Sequence, residues 1–320
     1  MILLTGASGV IGRELAPRLP QEKLILARHR ARPESPARQV AIDIRKAQLG
    51  LTSDTYAALC TEIDTVIHCA AITDMSGAVP ELAATNISGV ENIIAFAKAA
   101  GARLHFVSTA YCSQRYGPAT QVDSEYVASK RAAEAFVRNS GLEWTISRPS
   151  IISGHSRTGE IASFQGFHLF IATVLNGRLP IIPLERETPC DFIPVDWVAE
   201  ELAHIVAKPD WGRTHWLTSG QQALTIGEMV DCGRAFAASL GRDLSQVSWM
   251  SPAQVETDIF PRLRPRQRER LRILVDLSKV MARTAPFPTQ IPNVTKARLQ
   301  DALLENLNYW KAQSKRPRRD

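Results

Sequence analysis

A short apolar run, Ile2 to Leu4, meets a glycine cluster within a few positions and then passes into a helical pattern near Val10; the segment reads MILLTGASGVIG. A strand that turns this abruptly into a helix leaves few architectures open. Gly6 permits the tight turn, Gly9 lets backbone N–H groups approach an anion, and Gly12 allows the helix to pack closely on the strand. The start of that helix, with Ser8, Val10 and Ile11 around it, directs its partial positive charge at a phosphate. The spacing TGxxGxxG therefore implies a site for the pyrophosphate of a dinucleotide.

Apolar runs and helical stretches alternate through the first half of the chain. Leu24 to Ala27, Val40 to Ile44, Val66 to Ala70, Leu104 to Val107 and Trp144 to Ser147 read as strands, each apolar enough to be covered on both faces. Val10 to Leu19, Thr55 to Thr61, Pro80 to Ala100 and Asp123 to Asn139 read as the crossover helices. This βαβα order predicts an α/β fold, a Rossmann doubly wound parallel sheet with strands ordered 3-2-1-4-5-6. After Arg148 the pattern loosens: Gly154, Gly159 and Gly166 precede a helix over His168 to Asn176, and Pro180 and Pro183 bracket a short apolar run. Val195 to Val206 returns as a helix. The expected organisation is a dinucleotide-binding domain over 1–153, rejoined by 190–218. A smaller, mostly C-terminal substrate lobe takes 154–189 and 219–310, and a basic tail takes 311–320.

With 320 residues and 45% apolar content the chain can bury a large core. Its five cysteines, Cys60, Cys69, Cys112, Cys190 and Cys232, form no C-x-x-C pair and no metal-ligand spacing. No disulfide framework and no metal are expected, which fits a reducing compartment. The apolar runs fall far short of the ~18 residues of a membrane span, so a cytoplasmic protein with no membrane span and no leader is expected. Monomer and homodimer both remain open.

Charge is unevenly placed. Residues 261–320 carry 15 Lys/Arg against 5 Asp/Glu, whereas residues 1–260 carry 23 against 27. The basic residues concentrate in Arg262, Arg264, Arg266, Arg268, Arg270 and Arg272 and again in Lys315 to Arg319. A solvated face and tail account for this pattern, as does contact with an acidic carrier protein or a phosphate-bearing substrate. Nucleic acid is not expected, since no aromatic platform interleaves the arginines.

The end of the second strand selects the cofactor. A carboxylate there suits the ribose 2′-hydroxyl of NAD, whereas a 2′-phosphate requires positive charge. Here the chain reads LILARHR, with no acid until Glu34, which favours NADPH held by Arg28 and, second, Arg30. Both arginines can equally be ordinary surface loop residues.

Tyr126 and Lys130 stand four apart in EYVASKRAAE and share one face of a helical segment. That face can carry a proton donor, because an ammonium near a phenol stabilises the phenolate and lowers a pKa of ~10. Thr109 ends the strand Leu104 to Ser108, where a hydroxyl points into the crevice at the carboxyl ends of the strands and can donate to a carbonyl; Ser108 is the alternative. Cys112 lies three residues on, and transfer from a nicotinamide needs no covalent intermediate, so it reads as a pocket-lining thiol.

Together the glycine fingerprint and the Tyr126/Lys130 pair resemble the short-chain dehydrogenase/reductase superfamily in its extended form. FVSTAYC, SRPSIISG and DFIPVDWVAEEL are similar to its thioester-reductase and fatty-acyl reductase branch, also called male-sterility-like, over residues 1 to about 205. The resemblance implies that Asp43 and Ile44 line the adenine pocket. It further implies that His68-Cys69-Ala70-Ala71 forms the turn whose small residues approach the cofactor, with Asn86 as a structural asparagine beside it. Thr109 becomes the catalytic hydroxyl, Lys130 also holds the nicotinamide ribose, and Pro149, Ser150, Ile151 and Ile152 flank the nicotinamide. The implied activity is NADPH-dependent reduction of a carbonyl, an acyl thioester or its aldehyde, small or borne on a carrier protein. The chain departs from the branch in its short segment between Thr109 and Tyr126, which leaves the acyl group open. Sugar-nucleotide epimerases or dehydratases and hydroxysteroid-type dehydrogenases share the fold. Ala110 and Tyr111, however, stand where dehydratases carry an acidic pair. A cofactor-sensing binding protein is the non-enzymatic alternative, although such relatives tend to lose the tyrosine.

Overall fold

The computed structural model describes residues 1–29, 35–73, 79–113, 125–164, 181–241, 248–265, 267–269, 271, 272, 275, 278 and 286–314. The sheet begins with β1 (Ile2–Thr5), β2 (Leu24–Arg28) and β3 (Arg38–Ala41), and continues through β4 (Thr65–His68), β5 (Arg103–Val107) and β6 (Trp144–Pro149). Its order is 3-2-1-4-5-6, extended past β6 by a further strand, Arg213–Leu217, and every pairing is parallel.

Alternation along each strand feeds two apolar layers. Leu3, Ile25, Val66, Leu104 and Ile146 face one of them, with α2 (Ser53–Glu62), Gly89–Ala100 and Glu125–Arg138 packed against it. Leu4, Leu26, Ile67 and Val107 face the other, where α1 (Val10–Leu15) packs on the helix Val195–Ala207. Leu3, Leu4, Ile25 and Leu26 are all 0% exposed, and burial of such a side chain contributes roughly 1.5–3 kcal/mol.

Two expected strands begin and end earlier than the apolar pattern suggests. The third occupies Arg38–Ala41 instead of Val40 to Ile44: Ile42 N still reaches Arg28 O at 2.9 Å, but Asp43 N turns away to Leu49 O at 2.8 Å. It is an edge strand with β2 as its single neighbour, so it is half exposed instead of covered on both faces. The fourth ends at His68 instead of Ala70: Cys69 N still reaches Thr5 O at 3.2 Å, but from there the chain forms the turn that backs onto Gly6. The helix read over Pro80 to Ala100 is observed as α3 (Val79–Ala83), a π-helical turn at Ala84–Ser88 and α4 (Gly89–Ala100); α5 follows at Glu125–Arg138.

Beyond Pro149 the pairings are short. β7 (Ile151–Ser153), β8 (Ile181–Ile182), β9 (Pro189–Cys190) and β10 (Phe192–Pro194) lead into α6 (Val195–Ala207) and the seventh sheet strand, β11 (Arg213–Leu217). β12 (Leu224–Thr225) pairs with β9 and opens α7 (Ile226–Ala238), and β13 (Ser248–Trp249) pairs with β8. A strap at 286–291 runs beside β11, with Gln290 N on Trp216 O at 3.0 Å and Thr289 Oγ1 on Thr218 O at 2.6 Å. The last helix, α8 (Lys296–Ser314), packs on α7 and reaches back to Gly154, whose N–H donates to Asn306 Oδ1 at 2.6 Å. The helix expected over His168 to Asn176 lies outside the described residues. Among the described residues no helix is long and apolar enough to cross a membrane, and no group of three or more His, Cys, Asp or Glu could hold a metal ion.

Candidate active site

The glycine turn is shaped as its spacing implies. Gly6 has φ +73°, and a Cβ there would lie 2.6 Å from Ala70 N; one at Gly12 would lie 2.2 Å from Gly6 O. Gly9 differs, since a Cβ at that position meets only Gly6 O, at 3.1 Å, which leaves its outer side open. No side chain caps α1, so the N–H groups of its first turn are left for an anion. Ser8 is exposed and Val10 and Ile11 half-buried at that entrance. Thr5 fastens the floor: its hydroxyl bonds His68 Nδ1 at 2.7 Å, and its carbonyl accepts from Cys69 N at 3.2 Å. These residues fit the pyrophosphate of a dinucleotide.

At the ends of β2 and β3 the structure gathers positive charge beyond Arg28. Arg45 grips Asp43 with two hydrogen bonds of 2.8 Å and lies 3.2 Å from His29 Nε2. This guanidinium, with help from His29, holds the Asp43 carboxyl far below the usual carboxylate range. Ile44 packs against Gly89, and its carbonyl accepts from Asn92 at 2.8 Å. Arg30 lies outside the described residues. Arg45 was not legible as a site residue, because it joins this corner only when the chain turns back after β3.

The turn after β4 is held by Asn86, which lies in the π-helical turn and is 1% exposed. Its Oδ1 accepts from Ile72 N at 2.9 Å, while Nδ2 donates to Ile72 O at 2.9 Å and Ser129 Oγ at 3.1 Å. The amide is thus committed to protein partners, which makes it a brace between the Ala70-Ala71 turn and α5. Cys69 is half-buried there, and burial pushes its thiol up to about 12.

Across the crevice, Thr109 and Tyr126 come together. The Thr109 hydroxyl shares a hydrogen bond with the Tyr126 phenol and accepts from Tyr111 N at 3.4 Å. Ser108 turns the other way: its Oγ lies 3.6 Å from Cys112 Sγ and bonds the Glu134 carboxylate. One turn beyond Tyr126, Lys130 is 2% exposed, donates to Val107 O at 2.7 Å and stands 4.3 Å from the Phe106 ring centre. Burial pulls its pKa down to about 8 from 10.5, against the opposing effects of Cys112, Glu134 and Cys69. Burial also pushes the Tyr126 phenol well above its ordinary range, with Cys112 adding to the rise. The expected lowering by Lys130 is therefore not seen: the ammonium is committed to the Val107 carbonyl and the Phe106 ring, and Thr109 supplies the lowering influence. Such a phenol stays protonated at neutral pH and can give its proton to a nascent alkoxide, a far stronger base.

Cys112 is buried with its thiol pushed up, as suits a lining residue and not a nucleophile. Pro149 and Ser150 are buried at the end of β6, and Ile151 and Ile152 pair with Phe192 and Ile193 alongside. Asp191, read only as the first residue of the family-like stretch DFIPVDWVAEEL, accepts from Ser219 N, Ser219 Oγ and Gly220 N at 2.8–2.9 Å and so joins this region to the turn after β11.

The model of the family described as "Male sterility protein" matches residues 34–202. The chain belongs to that family. It is a family of NAD(P)-binding oxidoreductases, and the fold is that of the extended short-chain dehydrogenases/reductases. Trichosetin synthetase PKS-NRPS1 of Gibberella fujikuroi is 31% identical over 173 residues, which cover 48% of this chain and 4% of that protein. The chain thus spans a small fraction of the length of this curated relative. Among solved structures, the terminal R domain from the myxalamid PKS-NRPS pathway superposes with a TM-score of 0.73 at 21% identity, covering 98% of this chain and 90% of that one. A thiolation-reductase di-domain from an archaeal non-ribosomal peptide synthetase gives 0.65 at 16% identity, covering 98% and 75%.

Proposed function

We propose that the chain is an NADPH-dependent reductase acting on the carbonyl of an acyl thioester or the matching aldehyde. The observation that carries this reading is the hydrogen-bonded Thr109 and Tyr126 pair beside the buried ammonium of Lys130. When bound, the nicotinamide supplies the hydride. Thr109 and Tyr126 hold the carbonyl oxygen as it gains negative charge, and Tyr126 delivers its phenolic proton to that oxygen. Lys130 would hold the nicotinamide ribose, as the resemblance to the family implies. Gly6, Gly9 and Gly12 seat the pyrophosphate, while Pro149 to Ile152 flank the nicotinamide.

Preference for NADPH is supported by the cationic corner of Arg28, His29 and Arg45, in which the Asp43 carboxylate is already paired with Arg45. The reading assigns the dinucleotide to 1–153 with 190–218, and the acyl group to 154–189 and 219–310. A carrier-borne acyl group is favoured by the names of the relatives, a PKS-NRPS synthetase and a thiolation-reductase di-domain of a non-ribosomal peptide synthetase. Arg262 and Arg264 are exposed and can steer an acidic carrier protein; Arg266, Arg270 and Lys315 to Arg319 lie outside the described residues.

The test is NADPH oxidation, followed by absorbance, with an acyl thioester, the matching aldehyde and sugar nucleotides offered in parallel to the native chain and Tyr126→Phe. Consumption with thioester or aldehyde, reduced about 10²-fold or more in Tyr126→Phe with NADPH affinity retained, is expected. Tight NADPH binding without consumption of any substrate would replace the reductase by a cofactor sensor.

A further inference from the structure

One carboxylate behind the reaction end serves no step of the reading above. Glu134 lies on α5 one turn beyond Lys130 and is 4% exposed. A carboxylate removed from water at such a depth costs several kcal/mol unless its charge and lone pairs are matched. Its partners match it closely: Arg148 Nε donates to Oε1 at 2.8 Å and Nη2 to Oε2 at 2.6 Å, and Arg138 Nη2 reaches Oε2 at 3.3 Å. The Ser108 hydroxyl completes the set.

Two of these contacts, Ser108 and Arg148, lead toward the reaction end. Ser108 is bonded in sequence to Thr109, and its amide is fixed on Ser147 O at 2.7 Å. Arg148 immediately precedes Pro149 on β6. The other face of Arg148 lies 4.9 Å from the Trp216 ring; Trp216 stacks on Phe287 at 5.8 Å, and Phe287 meets Tyr111 edge-on at 5.5 Å. Tyr111 N returns to the Thr109 hydroxyl, so the contacts close into a ring around the crevice that joins β5, α5, β6, β11 and the strap.

We propose that Glu134 is the positioning residue of this site, holding Thr109 through Ser108 and the nicotinamide-flanking stretch through Arg148, with its carboxylate one helical turn from the Lys130 ammonium. The inference rests on the reductase reading for its kinetic part and stands without it for the charge of Lys130. The groups facing Lys130 are Cys112 from the turn after β5, Glu134 on its own helix, Cys69 from the turn after β4 and His68 at the end of β4. Cys112 and Cys69 have raised thiol pKa values and His68 a lowered one, so near neutral pH all three are uncharged. Glu134 is the one anion among them.

The experiment compares native protein with Glu134→Gln, Glu134→Asp and the charge-balanced Glu134→Gln/Arg148→Met double variant. The last avoids an unpaired buried guanidinium if the single variant does not fold. Lys130 is titrated without cofactor by competitive amine labelling read by mass spectrometry, and kcat and the NADPH Kd are measured across pH. Loss of the carboxylate should move the Lys130 titration and the alkaline limb of kcat down by about 0.5–1 pH unit in Glu134→Gln, whereas the double variant, which loses a cation with the anion, should shift less and still lower kcat. Turnover in Glu134→Gln should fall roughly 10-fold with NADPH Kd nearly unchanged, and Glu134→Asp should restore the native titration. A folded variant lacking the carboxylate that keeps the native Lys130 titration and native kcat would overturn the proposal and leave Glu134 a packing ion pair. If native protein turns over no substrate, the reductase reading fails, while the labelling result still decides the role of Glu134.

Discussion

The Lys130 ammonium rests over the face of Phe106, 4.3 Å from its ring centre, while donating to the carbonyl of the next residue, Val107, at 2.7 Å. A ring face and one carbonyl replace little of a hydration shell, which is why the pKa falls to about 8 from 10.5. Below pH 8 both folded and unfolded chains hold this proton, and the destabilisation is fully present. Between about 8 and 10.5 the unfolded chain binds more protons, so this group makes stability rise with pH, by an amount on the order of 3 kcal/mol in total. Lys130→Met should accordingly raise stability at pH 7 in urea unfolding, while weakening cofactor binding and abolishing turnover. A Lys130→Met protein less stable than native at pH 7 would contradict this account.

Thr109 and Ser108 are adjacent but face different partners, so their variants should separate. Thr109→Val removes a donor aimed at the carbonyl oxygen and should lower kcat by roughly 10²-fold. Ser108→Ala, whose hydroxyl meets Cys112 and Glu134, should lower it only a few-fold. Steady-state kinetics on the two variants in one assay checks the order; the reverse order would make Ser108 the reacting hydroxyl.

Cofactor choice should depend on two guanidinium groups and not on Arg28 alone. Arg28→Ala and Arg45→Ala should each raise the Kd for NADPH about 10-fold or more and leave that for NADH within a few-fold. Titration of protein fluorescence with NADPH, NADH and 2′-AMP provides the measurement. Parallel losses for NADPH and NADH would place the 2′-phosphate elsewhere.

Acid should unfold the protein through two buried histidines. Burial holds His68 down to about 3 and His105 down to about 4, both from 6.5, and His105 Nδ1 bonds Thr145 Oγ1 at 2.7 Å. Between these values and 6.5 the unfolded chain binds more protons, so stability is lost as pH falls from 6.5 toward 4. His105→Gln should flatten that loss in thermal melts between pH 7 and pH 4.5, whereas an unchanged slope would assign it to other groups.

The sheet was legible because its strands are nearly continuous apolar runs and its crossovers have helical spacing. The glycine turn was equally clear, since three small residues at fixed spacing have one physical use there. Edge and turn details were less so: the third strand ends at Ala41 because backbone partners change at Asp43, and no side-chain pattern records that. Arg45 and Glu134 were missed for a related reason. Each is an ordinary charged residue in sequence, and it acquires its meaning from a partner contributed by the fold, His29 at the end of β2 in one case and Arg148 on the next strand in the other.

The bond between Gly154 N and Asn306 Oδ1 closes a loop of 152 residues. Gly159 is equally tied to that helix, since a Cβ there would lie 2.1 Å from the Glu305 carbonyl. During synthesis the parallel sheet can form as soon as β11 has emerged, and Ser156 can already bond Asp196 on α6, yet Gly154 and Gly159 meet their partners on α8 only about ninety residues later. The sheet can therefore settle well before α8 closes on that segment, and the newborn chain passes through a stage whose sheet is complete while its last helix is still missing.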